Sequence, residues 1–153
     1  MSAVEDRLSE LGLSVPAVAA PVAAYVPAVR TGNYIFTSGQ LPLRDGQMIL
    51  TGKVGGEVSA EEAADAARQC ALNAIAAVKA ELGDLDQVVR VVKAVVFVAS
   101  TPDFTGQPLV ANGASELFGA AFGEAGKHAR SAVGVPVLPL DSPVEVELIV
   151  EIS

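Results

Sequence analysis

The chain has 153 residues and a formal net charge of −8. It is 51% apolar and 18% charged, against roughly 25% charge in typical soluble domains, which excludes a disordered chain. Its four Lys and six Arg are scattered among the residues, so no basic stripe is available to grip a nucleic-acid backbone.

The elements follow in chain order. Val4, Leu8 and Leu11 are spaced for a short helix over Ala3–Leu11, which Gly12 stops. Leu11–Val29 carries no charge, but Pro16, Pro21 and Pro27 oppose a spanning helix. The acidic flank before it is unlike a signal peptide, so it reads as a loop feeding a strand. A first strand is predicted over Tyr25–Arg30, with Thr31-Gly32-Asn33 turning it back into Tyr34–Thr37. Arg44-Asp45-Gly46-Gln47 is a second turn, followed by a weak strand over Met48–Leu50. Thr51–Glu57 holds three Gly and predicts a flexible loop.

Ser59 and Glu62 have capping-box spacing, and the helix they open runs to Leu82 before Gly83. Ala63, Ala67, Cys70, Ala74 and Val78 form its apolar stripe. Val88–Ala99 is β-branched and nearly continuous, which predicts a central strand apolar on both faces. A second helix is expected over Val110–Phe122, a loop over Gly123–Lys127 and a strand over Ser131–Leu138. Pro136 marks that strand as an edge or its end. In Val144–Ile152, Val144, Val146, Leu148, Val150 and Ile152 share one face, and Glu145, Glu147, Ile149 and Glu151 share the other. The sum is a two-layer α+β domain with helices on one face of a mixed sheet.

Most catalytic kits are missing. Cys70 and His128 are the only Cys and His, so neither a disulfide nor zinc spacing exists. Cys70 reads as a small buried hydrophobe in a reducing cytoplasm, and His128 as an ordinary surface residue. Arg130, at a loop-to-strand junction, offers a planar fork for a carboxylate. Glu145, on the following strand, is expected to face the same place across a hairpin, where it would orient or deprotonate a water.

Several segments run together in a specific order from Pro21 onward. They are Tyr25-Val26-x-Ala28-Val29 before Gly32-Asn33, then Ile35-Phe36-Thr37-Ser38-Gly39-Gln40-x-Pro42. Ala67-Arg68-Gln69, Asn73-Ala74-Ile75 and Val92-Lys93-x-Val95-Val96-Phe97-Val98 follow. Asp103-Phe104, Asn112 with Phe118, Ala129-Arg130-Ser131, Leu138-Pro139 and Val144-Glu145-Val146-Glu147 complete them. In this order they resemble the reactive-intermediate deaminase (Rid, YjgF-like) family, also known as L-PSP endoribonucleases.

The resemblance implies a single chorismate-mutase-like domain over residues 1–153, with residues 1–20 as an N-terminal extension. It implies a homotrimer with ligand sites between subunits. The implied activity is hydrolysis of 2-imino and enamino acids, of the 2-aminoacrylate type, to 2-keto acids and ammonia, with no metal or organic cofactor. By the same resemblance Arg130 holds the substrate carboxylate and Glu145 the attacking water. Tyr25, Ser38, Gly39 and Asn112 line the cleft, and the Ala132 carbonyl accepts from the substrate nitrogen.

The sequence also departs from the family pattern. Ala23-Ala24 replaces Gly-Pro, His128 replaces Pro, and Ala132 replaces Cys. The Asp103–Asn112 spacing is longer, and the loop Gly52–Glu57 and the N-terminal helix are unlike archetypal members. These mark a divergent branch and leave two further readings. One is a non-catalytic trimer that binds small carboxylates or other metabolites. The other is a ribonuclease, which the acidic charge disfavours. In either case the surplus of small apolar residues is expected to serve a subunit interface, with no nucleic-acid or membrane partner. The acidic excess is expected on the outer helices.

Overall fold

Twelve consecutive residues, eight of them Val or Phe, organise the sheet. In the computed structural model, which describes residues 1–19 and 24–153, they form strand β5 (Val88–Ala99). The other sheet strands are β1 (Ala28–Thr31), β2 (Tyr34–Thr37), β6 (Ala129–Val135) and β7 (Val144–Ile152). Their spatial order is β1-β2-β7-β5-β6. All neighbours are antiparallel except β5 and β6, which are parallel and joined by helix α3 (Gln107–Phe122). Two short strands, β3 (Leu43–Arg44) and β4 (Gln47–Met48), pair separately.

Helix α2 (Ala60–Leu82) starts at a formed capping box, with Ser59 and Glu62 exchanging hydrogen bonds. Its predicted stripe of Ala63, Ala67, Cys70, Ala74 and Val78 is fully or almost fully buried. Helices α2 and α3 pack together over the same face of the sheet. Val144, Val146, Leu148, Val150 and Ile152 point into that core, as do Val91, Ala94, Val96 and Val98. Along β7 and the second half of β5 the intervening residues are only half-buried. From Ala94 onward β5 is apolar on both faces, but the chain's own helices cover one. The open face also presents Val29, Tyr34 and Phe36, each more than 40% exposed.

Several expectations shift. β1 begins at Ala28 rather than Tyr25, immediately after Pro27, which has no N–H to give a strand ladder. The β1–β2 hairpin turns on Gly32, whose φ of 55 suits the tight turn that right-twisted strands require. The strand expected over Met48–Leu50 is Gln47–Met48. The loop expected to be flexible is anchored: Val54 is 0% exposed, takes the carbonyl of Ala99 and gives its own to Thr101. Helix α3 starts at Gln107, earlier than Val110, because Pro108 fits a first helical turn. Gly123–Gly126 is a 3-10 turn rather than a plain loop. β6 starts at Ala129 rather than Ser131 and stops before Pro136, at the sheet edge. In the uncharged segment Leu11–Val29 the described part is non-helical, and residues 20–23 lie outside the described residues.

Helix α1 (Ala3–Glu10) buries Val4 and Leu8 against the rest of the domain. Glu5 closes its capping box with Ser2 and also takes a hydrogen bond from Lys79 near the end of α2. Lys79, then Ser2, hold the Glu5 carboxyl down at about 2. A lowered folded pKa adds stability above the ordinary value, lost as pH falls through the folded one. Glu5→Gln is therefore expected to lower the melting temperature at pH 7, by no more than about 1 kcal/mol of stability for a partly exposed pair. Melting curves from pH 7 downward are expected to show the two proteins converging between pH 4.5 and about 2.

Candidate functional site

β6 is an edge strand, so one side of it is free to meet a ligand or another chain. Arg130, its second residue, is on the helix-facing side, in register with Ala94. Asn112 and Ser115 are one turn apart on α3 and share a face. Both reach the guanidinium: Arg130 Nη1 donates to Asn112 Oδ1 at 2.8 Å and to Ser115 Oγ at 3.1 Å. Ser115, Gly119, Gly126, Lys127, His128 and Arg130 line a cleft of about 320 Å³. Ala132 lies two residues along β6, half-buried. The Val135 carbonyl accepts from Ser100 on the β5 side, so alternation turns the Ala132 carbonyl toward the free edge.

Glu145 is elsewhere. β5 lies between β6 and β7, so the expected hairpin does not exist. Glu145 is in register with Phe97, which is in register with Val133, three residues along β6 from Arg130. Odd spacing puts Arg130 and Glu145 on opposite faces of the sheet. Within one chain the two side chains do not share a site.

Around Glu145 a second group gathers. A Cβ on Gly39 would lie 2.2 Å from Glu145 Oε1, so the carboxylate rests on the bare Gly39 backbone. Gln40 fixes this approach by exchanging backbone hydrogen bonds with Val146. Ser38 Oγ donates to the Val26 carbonyl at 2.6 Å, which ties down the segment carrying the exposed Tyr25. Desolvation, and then the Glu147 charge, push the Glu145 carboxyl up. The seven residues singled out in the sequence thus form two clusters. Arg130, Asn112 and Ala132 make one; Glu145, Gly39, Ser38 and Tyr25 make the other.

Sequence reasoning missed Ser115 and misjudged His128. His128 is half-buried, edge-to-face with Phe118, and hydrogen-bonded at both ring nitrogens. The legible signal was the spacing of three between Asn112 and Ser115. Cys70 is buried as expected, and burial pushes its thiol well up. A cavity of about 560 Å³ lies at the far end of β6, lined by Lys53, Phe104 and Gln107 among others. Its Lys53 is already paired with Asp141 at 2.6 Å. Among the described residues no three His, Cys, Asp or Glu converge as metal ligands, and no helix is long and apolar enough to cross a membrane.

Residues 5–152 match the family model described as "YjgF/chorismate mutase-like, putative endoribonuclease". The chain belongs to this YjgF-like family. Protein TCP17 of Trypanosoma cruzi is 48% identical over 98% of this chain and 94% of its own. A 2-iminobutanoate/2-iminopropanoate deaminase of Dermatophagoides farinae is 32% identical over 92% and 95%. A crystal structure of an Agrobacterium tumefaciens protein of unknown function superposes with a TM-score of 0.93, at 47% identity, covering 99% and 93%. The YjgF-like family therefore includes imine deaminases, and its chorismate-mutase-like fold is the one described above.

The raised carboxyl of Glu145 gives a signed expectation. Below its ordinary value of 4.5 the penalty for burying the charge is absent, and it grows as pH rises through the folded value. Glu145→Gln removes it. The variant is expected to gain melting temperature relative to wild type as the pH is raised from 4.5 to 8, read by thermal melts across that range.

Proposed function

We propose that this protein hydrolyses 2-imino acids, and enamino acids of the 2-aminoacrylate type, to 2-keto acids and ammonia, at sites formed between the subunits of a homotrimer. One observation carries the reading: the carboxylate fork and the raised carboxyl lie on opposite sheet faces, each bordered by surface that the chain leaves uncovered. A neighbouring copy laid against the open face would bring its Arg130 cluster to the Glu145 cluster. The exposed Val29, Tyr34, Phe36 and Val133 suit such burial.

The chemistry is simple enough for positioning to perform. Arg130 would clamp the substrate carboxylate through two hydrogen bonds. The Ala132 carbonyl would accept from the imine nitrogen, which favours the protonated and more electrophilic iminium. Glu145, held in a partly desolvated place, would accept a proton from water as its oxygen adds to the carbon. The carbinolamine would then collapse: Glu145 passes its proton to nitrogen, then takes the hydroxyl proton as the C=O bond forms, the C–N bond breaks and ammonia leaves. An enamino acid enters this route by first tautomerising to the imine, its N–H proton replaced by one at C3. Tyr25, Ser38 and Asn112 would shape the cleft. No metal or organic cofactor enters this scheme.

The loop Gly52–Glu57 and His128 in the place of Pro beside Arg130 favour one alternative: a trimer that binds small carboxylates without turning them over. The experiment supplies 2-aminoacrylate generated in situ and follows keto-acid release. Wild type is expected to accelerate it. Arg130→Ala is expected to lose roughly 100-fold in kcat/KM, the worth of about 3 kcal/mol of charged hydrogen bonding. A variant as active as wild type sinks the assigned mechanism. A keto acid that raises the melting temperature without any turnover selects the binding protein instead.

A further inference from the structure

Arg130 ends a hydrogen-bond chain that begins at a loop carbonyl. Ser115 Oγ lies 2.8 Å from His128 Nε2, and His128 Nδ1 lies 2.6 Å from the Gly126 carbonyl oxygen. A carbonyl only accepts, so Nδ1 carries the proton. In the neutral ring Nε2 is then the acceptor, and the Ser115 hydroxyl donates to it. With its proton committed, Ser115 presents lone pairs to Arg130 Nη1 at 3.1 Å. Each member fixes the role of the next, and the direction of the whole chain is set at Gly126.

Packing holds that end in place. A Cβ on Gly126 would lie 2.3 Å from the Phe118 carbonyl oxygen of α3, so glycine alone brings the loop this close. Phe118, 0% exposed, meets the His128 ring edge-to-face with centroids 5.7 Å apart. The ring cannot tilt away from Ser115 without leaving that contact. At the other end only Nη1 of Arg130 is engaged. Among the described residues Nε and Nη2 make no hydrogen bond, which leaves them for an incoming carboxylate.

We propose that Ser115 and His128 are positioning residues that orient the Arg130 fork for a ligand carboxylate. Asn112 alone would let the guanidinium pivot about one bond; the second acceptor, Ser115, fixes its plane. The proposal rests on Arg130 being the carboxylate site of the function proposed above. A substrate carboxylate keeps its charge throughout imine hydrolysis. Its clamp therefore contributes equally to ground and transition states, and loosening it raises KM while leaving kcat.

The experiment measures 2-ketobutyrate binding by calorimetry alongside steady-state turnover of in-situ 2-aminoacrylate. Ser115→Ala is expected to weaken binding on the order of tenfold, a loss of about 1.4 kcal/mol. KM should rise in parallel and kcat stay within about twofold. Ser115→Thr, which retains the hydroxyl, is expected to restore most of the affinity, and His128→Leu to weaken it several-fold. Nitrogen NMR of the wild-type imidazole is expected to show the Nδ1-protonated tautomer, a readout that needs no variant to fold. Three results overturn the proposal: Ser115→Ala binding as tightly as wild type, Thr failing together with Ala, or an Nε2-protonated ring. Wild type that binds no keto acid overturns it together with the carboxylate role of Arg130. Ser115-dependent binding without any turnover leaves the positioning pair standing and sinks only the deaminase reading.

Discussion

A strand has two faces, and among the described residues helices cover only one face of this sheet. Helices α2 and α3 bury the side of the sheet that carries Val91, Val96, Val146 and Leu148. Period-two alternation then decides which face Arg130 and Glu145 take. Arg130 falls on the covered side, at the free edge of β6, where α3 supplies Asn112 and Ser115. Glu145 falls on the open side, over Gly39. A one-residue slip in either strand would exchange these addresses. The two groups are each well formed, and within one chain they lie apart.

The unusual composition divides between these two faces. The small residues of α2, from Ala63 through Ala77, are buried almost without exception and let a long helix lie close to both sheet and α3. The open face keeps Val29, Phe36 and Val133 in water alongside three glutamates. Arg90 stands opposite Glu151, so one of the three acids faces a cation by register, whereas Glu145 and Glu147 face Phe97 and Val95. The acidic excess is thus not confined to the helices. A raised Glu145 carboxyl follows from that partly desolvated setting and from the neighbouring Glu147 charge.

Much of this was legible in the chain. The Ser59–Glu62 capping box, the Gly32 hairpin, the nearly continuous run Val88–Ala99 and the alternation of Val144–Ile152 each rest on local rules, and each formed as expected. What failed depended on partners distant in sequence. Gly-rich residues near Val54 suggested mobility, but pairing with Ala99 and Thr101 anchors them. Arg130 and Glu145 lie on consecutive strands, which suggests a hairpin, yet β5 inserts between them. His128 looked like surface because its partners, Ser115 and Phe118, belong to a helix whose docking no local signal reveals. Arg130 and Glu145 are legible from their chemistry and the other five candidates from resemblance; their separation into two clusters emerges only from register and topology.

That separation sets the most direct test. Arg130→Ala and Glu145→Gln proteins would be purified separately, each expected to be nearly inactive on 2-aminoacrylate, then unfolded, mixed in equal amounts and refolded together. If each site takes Arg130 from one subunit and Glu145 from its neighbour, random mixing restores about one interface in four to the wild-type pair. Roughly a quarter of wild-type activity is therefore predicted to return. Activity in the mixture no higher than in either variant alone would contradict a site shared between chains.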